Sequence, residues 1–381
     1  MRCPPALSSH ARSSLVDDID GLLELIAGLR MDTESVLHLR SCASNTMVRR
    51  SRQYNYRDLR DLVRESLETC PAFAGKSVEV DGKINSISEG MWHENYWFWL
   101  RGQGLTIAQS EQAYILRILD QREDWQRGPG PRDRLIREAE TLQVLDGIAF
   151  PHLTPRFICF VKGDGPEQIG MIETSLPGHS LHGYKEKSTL EYVAQVAADV
   201  HRLKIDSFPH LPGHHDRRRH ISSTLAEFDD ALFEQFATAN QVREWIMPNM
   251  PHADGGTVLH GDLLPQNLLR ALPGQDREEP RLGVIDWEMA QIGDPAYDLA
   301  IVSRGDRKVQ RVGNGLNVLV DHYLKCGGQP ISVTDVRRHE LLLVLHWLEE
   351  SWREYQKPSP SGHGPDYYEA KLRTLFQRVA N

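Results

Sequence analysis

The sequence lacks any apolar run near the ~20 residues that a membrane-spanning helix requires. Its longest runs, such as Leu341-Leu342-Leu343-Val344-Leu345, fall far short. No membrane helix and no membrane partner are therefore expected. Met1 to Val16 holds two Arg, several Ser and no acid, but not the apolar stretch of roughly 7–15 residues of a secretory signal. It reads as a flexible leader. The 5 cysteines (Cys3, Cys42, Cys70, Cys159, Cys326) are odd in number and show no Cys-x-x-Cys spacing. That excludes a disulfide framework or a zinc site and fits reduced thiols in a cytoplasmic protein. Positive charge is also short. The formal net charge of −9 argues against a nucleic-acid partner, because phosphate backbones attract a positive surface. The local basic group Arg49, Arg50, Arg52, Arg57, Arg60 and Arg64 is interleaved with acids from Asp58 onward and reads as a solvated helix face.

What is present is a globular chain of 381 residues, 40% hydrophobic and 25% charged, long enough for two or three domains. Residues 1–76 read as a helical N-terminal extension. Ile19, Leu22, Leu23, Leu25, Ile26 and Leu29 recur at helical spacing, as do Leu59, Leu62, Val63 and Leu67, with Asn55 as an N-cap. From residue 77 to 176 the texture is short strands around one helix, Arg134 to Leu145. Between residues 177 and 381 helices dominate: Leu190 to Leu203, Ser223 to Thr238, Arg311 to Cys326, Asp335 to Tyr355 and Tyr367 to Val379. Two short strand-like pieces, Thr257-Val258-Leu259 and Leu282 to Ile285, interrupt them.

Those two pieces border the residues with the most chemical content. Val258-Leu259 leads into His260-Gly261-Asp262-Leu263-Leu264-Pro265-Gln266-Asn267. Five positions separate Asp262 from Asn267, the offset between the base and the metal-binding amide of a kinase catalytic loop. Phosphoryl transfer needs a carboxylate at the acceptor hydroxyl, Mg²⁺ on the triphosphate, and cations or amides around the phosphates. Leu282-Gly283-Val284-Ile285 then ends in Asp286-Trp287-Glu288, and an acid at a strand tip suits a hard cation that takes oxygen ligands. Asp286 is the main Mg²⁺ candidate; Glu288 either joins through water or faces solvent. In Gly293-Asp294-Pro295-Ala296-Tyr297-Asp298, Asp294 reads as a helix N-cap. Asp298 reads as a brace that accepts backbone hydrogen bonds from the catalytic loop.

Three elements in order, H-G-D-x-x-x-x-N, an apolar strand ending D-W-E, and G-D-P-x-x-D-L-A, resemble the aminoglycoside phosphotransferase family. This is the small-molecule branch of the protein-kinase-like fold, and the resemblance runs from about Val78 to Tyr355. It implies an α+β, two-lobed protein-kinase-like fold with a small β-rich N-lobe, a larger helical C-lobe and the extra helical N-terminal segment. It also implies ATP and Mg²⁺ as cofactors, Asp262 as catalytic base with His260 supporting it, and Asn267 and Asp286 as Mg²⁺ ligands. The acceptor is then a small-molecule hydroxyl: an antibiotic, a sugar, an amino alcohol or an amino acid. Two alternatives stand beside it, a kinase acting on a protein or other macromolecule, recruited through residues 1–76, and a nucleotide-binding pseudokinase module. Asp294-Pro295 follows Asp286 too soon for a protein-kinase activation segment.

On the nucleotide side, Ile87 to Tyr96 resembles the family's phosphate loop but holds the single glycine Gly90; Ser88 and Gly90 are its candidate contacts. Read alone, the stretch is an ordinary hairpin turn. Ala113 to Ile118 resembles the strand that carries the phosphate-binding Lys, with Arg117 in its place; Arg can contact two phosphate oxygens at once. Glu138 matches the helix acid that pairs with it, and Glu140 is the alternative. Ile169 to Gly178 resembles the interlobe hinge, whose backbone from Glu173 to Ser175 meets adenine. His210, His214, His215 and His220 with Arg217-Arg218-Arg219 read as a solvated loop, and His346 to Tyr355 as an amphipathic helix.

Overall fold

The computed structural model describes residues 56–87, 93–119, 130–162, 168–184, 186–270, 282–306, 308–357 and 362–380. All of them but Tyr56 fall in a compact unit spanning Arg57–Asn381. The earlier part of the expected N-terminal extension and the phosphate-loop candidates Ser88 and Gly90 lie outside the described residues.

Helix α1 (Tyr56–Glu68) repeats apolar residues every fourth position, and Leu59, Val63 and Leu67 are buried with Cys70 and Phe73 beyond its end. The Phe73 ring meets Tyr114 edge-on at 6.3 Å, which fixes this segment to the sheet that follows. That sheet is antiparallel: β1 (Ser77–Ile87), β2 (His93–Gln103), β3 (Ala113–Leu119), β4 (Phe157–Lys162) and β5 (Gln168–Thr174) lie in the order β1-β2-β3-β5-β4. A short helix α2 (Ile107–Ser110) bridges β2 to β3 through a capping box of Thr106 and Gln109. Helix α3 (Pro131–Gly147) starts on a proline, which fits the first helical position, and buries Leu135, Ala139, Leu142 and Leu145. Central strand β3 sets Arg117 opposite Asn95 on one side and Met171 on the other.

The second lobe is helical. α4 (Lys187–His201) packs on α9 (Gly315–Lys325), while α8 (Ala296–Ser303) and α11 (Pro365–Ala380) both lie on α10 (Val333–Glu354). α5 (Arg217–Ala226), α6 (Asp230–Gln235) and α7 (Ala237–Ile246) bury Ile221, Leu232, Phe233, Val242 and Ile246 in a core shared with Leu341, Leu345 and Leu348 of α10. The helix expected over Ser223 to Thr238 is thus divided. Asp229 caps a new start by accepting from the Ala231 N–H, and the Phe236 backbone is extended. The helix expected from Arg311 begins later, because Gln310, Arg311 and Asn314 adopt left-handed backbone. Short strands complete the lobe. β6 (His179–Ser180), β8 (Leu268–Arg270) and β9 (Leu282–Val284) form one sheet, and β7 (Thr257–Leu259) pairs with β10 (Gln291–Gly293). These small sheets hold the loop of residues 260–267 between them.

The expected solvated His/Arg loop is instead a helix start with a buried face. Asp216 caps α5, and Arg217 and His220 pack inward. Arg217 lies 3.0 Å from Asp294, His339 lies 3.2 Å from Asp294, and the Asp294 N–H donates to His220 Nδ1 at 3.0 Å. A stretch read as loop from its polarity is buried because Asp294, distant in sequence, supplies the countercharge to Arg217.

Candidate active site

Strand β7 delivers Leu259 to a turn at Gly261, whose φ is +83°, and a Cβ there would sit 1.9 Å from the Met289 carbonyl oxygen. Only glycine fits. Asp298, at the start of α8 and fully buried, accepts from the N–H of His260 at 2.8 Å and of Gly261 at 2.9 Å. Its other neighbour is His201, the last residue of α4, at 3.1 Å. Burial opposes the Asp298 charge, but the His201 hydrogen bond and the hydrogen bond from the His260 backbone N–H outweigh it and hold the carboxyl below its usual range. His260 is itself buried and held neutral by that burial. Its Nε2 lies 3.0 Å from the Ile285 carbonyl, its Nδ1 accepts from the Asp262 N–H, and its ring packs tilted against Trp287 with centroids 4.6 Å apart.

This frame fixes the Asp262–Asn267 pair. The Asn267 amide donates to the Asp262 main-chain oxygen at 2.9 Å and to the Asp262 carboxylate at 3.0 Å. With both amide hydrogens turned to Asp262, the Asn267 side-chain oxygen is left as an acceptor. The Ile285 N–H donates to the Asn267 carbonyl at 3.0 Å, which ties this loop to the segment carrying Asp286. Burial, then the charge of Asp286, pushes the Asp262 carboxyl up to about 6, against the smaller opposing pulls of Arg304 and of the Asn267 hydrogen bond. A carboxylate poised there takes a proton at neutral pH more readily than an ordinary aspartate.

Asp286 follows β9 with left-handed backbone, φ 69° and ψ 59°, a conformation that short polar side chains tolerate. The turn brings its carboxylate 3.0 Å from Arg117. Arg117 also reaches Glu138 of α3 at 2.7 Å and Glu288 at 3.2 Å. Glu138 in turn accepts from the Trp287 N–H at 3.1 Å, so strand β3, helix α3 and the Asp286 turn share one buried junction. Burial works against the Arg117 charge; Glu138, Asp286, Glu173 and Glu288 outweigh it and raise its pKa further. Burial and the adjoining carboxylates push Glu138 upward. Burial likewise opposes the Glu288 charge, but the His93 hydrogen bond and the Arg117 charge win and hold it low.

The donor set suits a hard cation. One oxygen each of Glu138, Asp286 and Glu288 lies within 4.8 Å of the others, and all are carboxylates. Arg117 engages all three; of them Asp286 is half-buried and the most open to an incoming ion, while Glu138 and Glu288 are buried.

The sequence-derived residues therefore converge, with exceptions. Asp262, Asn267, Asp286, Glu288, Arg117, Glu138, His260 and Asp298 form one connected cluster. Glu288 is buried and does not face solvent. Glu173 is also buried on β5, where burial first, and the Asp286 charge, push its carboxyl up to about 7 against the pull of Arg117. The Thr174 and Ser175 N–H groups are engaged within the lobe, on the Arg156 and Ala113 carbonyls at 3.0 and 2.8 Å. Three participants escaped the sequence reading. His93, the first residue of β2, is 3.0 Å from Glu288; Arg134, on α3, is 3.8 Å from Glu288; and His201 supports Asp298. Arg134 alone had a local signal, since it lies one helical turn before Glu138 on the same face.

Comparison with known proteins places this geometry. Residues 83–324 match the phosphotransferase enzyme family. Acyl-CoA dehydrogenase family member 11 of Pongo abelii is 26% identical over 256 residues, which cover 58% of this chain but 31% of that protein. The chain thus spans about a third of that relative's length. Viomycin phosphotransferase of Streptomyces vinaceus is 29% identical over 203 residues, covering 47% of this chain and 66% of the enzyme. Among solved structures, macrolide 2'-phosphotransferase MphH from Brachybacterium faecium superposes with a TM-score of 0.56 at 16% identity, covering 83% of this chain and 97% of that one. A thermostable aminoglycoside phosphotransferase APH(4)-Ia in complex with AMP-PNP and hygromycin B gives 0.53 at 14% identity, covering 80% and 95%. At these identities the structures speak to the fold, which is the two-lobed kinase-like one. The family match extends over more than half of the sequence, and this chain belongs to the phosphotransferase enzyme family.

Proposed function

We propose that the protein transfers the terminal phosphoryl group of Mg·ATP to a hydroxyl of a small molecule, with Asp262 as the base. The observation that carries this reading is the Asp262–Asn267 pair, braced by Asp298 through two backbone N–H groups and lying within electrostatic reach of Asp286. Asp262 holds the acceptor hydroxyl and takes its proton as the oxygen attacks phosphorus in line. Asn267 and Asp286 hold the Mg²⁺, with Glu288 beside them. The ion supplies charge neutralisation on the triphosphate and orients it. Arg117, fixed by Glu138, binds phosphate oxygens, and Ser88 and Gly90 cover them from the β1–β2 connection. The adenine ring lies against the backbone from Glu173 to Gly178, meeting carbonyl groups and the chain beyond Ser175. The lobes are assigned as nucleotide-binding (77–176) and acceptor-binding (177–381).

The acceptor panel follows from the relatives. One is named as an antibiotic phosphotransferase and others as acyl-CoA dehydrogenase family members. Hydroxylated antibiotics and hydroxyacyl thioesters therefore head a screen that also holds sugars, amino alcohols and amino acids. ADP release that depends on one acceptor, with a phosphorylated product found by mass spectrometry, supports the proposal. ATP turnover into protein and into none of these compounds refutes the small-molecule assignment.

A further inference from the structure

The bonded cluster around Arg117 leaves out one buried carboxylate at the hinge end of the sheet. Glu173 is 6% exposed, and its Oε2 is buried without a hydrogen-bond partner. Glutamate is almost never buried to this degree unpaired, because the loss of its hydration is costly. The Arg117 guanidinium is engaged by Glu138, Asp286 and Glu288 at 2.7, 3.0 and 3.2 Å, and reaches Glu173 through its charge alone.

The strand register shows what this carboxylate faces. Residues directly opposite each other on antiparallel strands share a face of the sheet. Trp97 of β2, Ile115 of β3 and Glu173 of β5 stand opposite one another in a single row. Asn95, Arg117 and Met171 make the row two residues along, about 7 Å away on the same face. The other face is filled by Phe98 and Tyr114, stacked at 5.8 Å, with Phe73 edge-on to Tyr114. Glu173 therefore lies on the face from which Arg117 meets the Asp286 turn. Trp97 and Ile115 are only half-buried there, so apolar surface stays accessible beside the carboxylate. A flat heterocycle laid over that surface puts its edge at Glu173, and the phosphates of the same molecule reach the Arg117 row.

We propose that Glu173 selects the nucleotide base: its carboxylate accepts a hydrogen bond from the 6-amino group of adenine and rejects guanine, which carries a carbonyl oxygen at that position. The inference rests on the reading of the site as one for Mg·ATP. An ionised carboxylate only accepts hydrogen bonds, so the amine supplies the partner that Oε2 lacks. A carbonyl oxygen in its place sets two acceptors against each other where water cannot intervene. Buried polar groups left unpaired by the wrong ligand are the basis of strong discrimination.

The test is calorimetry on the full chain and its Glu173→Gln and Glu173→Met variants, with melting temperatures alongside. It is run at pH 8, where a carboxyl pushed up to about 7 is ionised. The ligands are the Mg²⁺ complexes of ATP, GTP and purine riboside triphosphate, which lacks the 6-amino group. The wild type should bind ATP on the order of 10- to 100-fold more tightly than GTP, and about 10-fold more tightly than the purine analogue. Glu173→Met removes the acceptor and brings ATP and the analogue within about threefold of each other. Glu173→Gln both donates and accepts, and brings ATP and GTP within about threefold. Preferences that persist unchanged in both variants overturn the proposal. Equal weakening toward all three ligands with a lowered melting temperature overturns it too, and makes Glu173 a structural countercharge of Arg117. A wild-type preference for GTP refutes this inference alone, and so does equal binding of ATP and the analogue. A wild type that binds none of the three refutes the Mg·ATP reading and this inference with it.

Discussion

Replacing Asp262 with Asn should stabilise the protein while removing its activity. The Asp262 carboxyl is pushed up to about 6, chiefly by burial and then by Asp286. An unfolded aspartate titrates near 3.9. The folded value lies above the unfolded one, so the unfolded chain gives up this proton first; the cost to the fold builds from about pH 4 to about 6 and is complete above that. A difference of about two pKa units corresponds to roughly 3 kcal/mol at neutral pH, and partial exposure of the group lowers this to about 2–3. Below pH 4 both states hold the proton and the penalty vanishes. Asn is nearly isosteric and still accepts from the Asn267 amide through its side-chain oxygen, so little packing is lost. Asp262→Asn should therefore melt about 3–4 °C above the wild type at pH 7.5, with the gap closing toward pH 4.5. Thermal and urea denaturation of both proteins across that range measure it. A gap that does not change with pH, or a variant less stable at pH 7.5, refutes the claim that Asp262 is an electrostatically strained group.

Other substitutions test neighbouring parts of the site. Arg117→Met leaves Glu138, which is wholly buried, without its ion-pair partner; denaturation should show a loss of about 3–5 kcal/mol and calorimetry a loss of nucleotide binding. Asp298→Ala strands the buried N–H groups of His260 and Gly261, at about 1–3 kcal/mol each. Because the Asp298 carboxyl is held below its ordinary range, its stabilising effect is complete above pH 4 and lost as pH falls further. The stability gap between wild type and Asp298→Ala should narrow accordingly in acid. Gly261→Ala sets a Cβ 1.9 Å from the Met289 oxygen and should reduce turnover by on the order of 100-fold or more, with a lower melting temperature. In the wild type, acceptor-dependent kcat/KM should rise with pH through about 6 as Asp262 ionises in the free enzyme.

How much of this was legible beforehand depended on distance along the chain. Asp262 and Asn267 are five residues apart in one loop, so their spacing carries their geometry. Asp286 was legible because an apolar strand ending in an acid has a defined tip. The partnership of Arg117 with Glu138, 21 residues away, came from resemblance, and the fold supplies the contact. His201 reaches Asp298 across 97 residues, and nothing in a helix ending Ala198-Asp199-Val200-His201 marks that histidine. The same limit explains Arg217 and His220. Polarity read locally said loop, while Asp294 and His339 from distant segments make the site a buried one. Helix ends at Asp229 and Gln310 were missed because a cap or a left-handed residue alters direction without altering hydrophobic periodicity.

The most direct test of the central claim sets wild type beside Asp262→Asn in two assays on the same samples. Nucleotide binding is measured by calorimetry with Mg·ATP, and phosphoryl transfer with labelled ATP and the acceptor found in the screen. The account expects both proteins to bind Mg·ATP within a few-fold of one another, and only the wild type to phosphorylate the acceptor. An Asp262→Asn protein that transfers phosphate at the wild-type rate would contradict it.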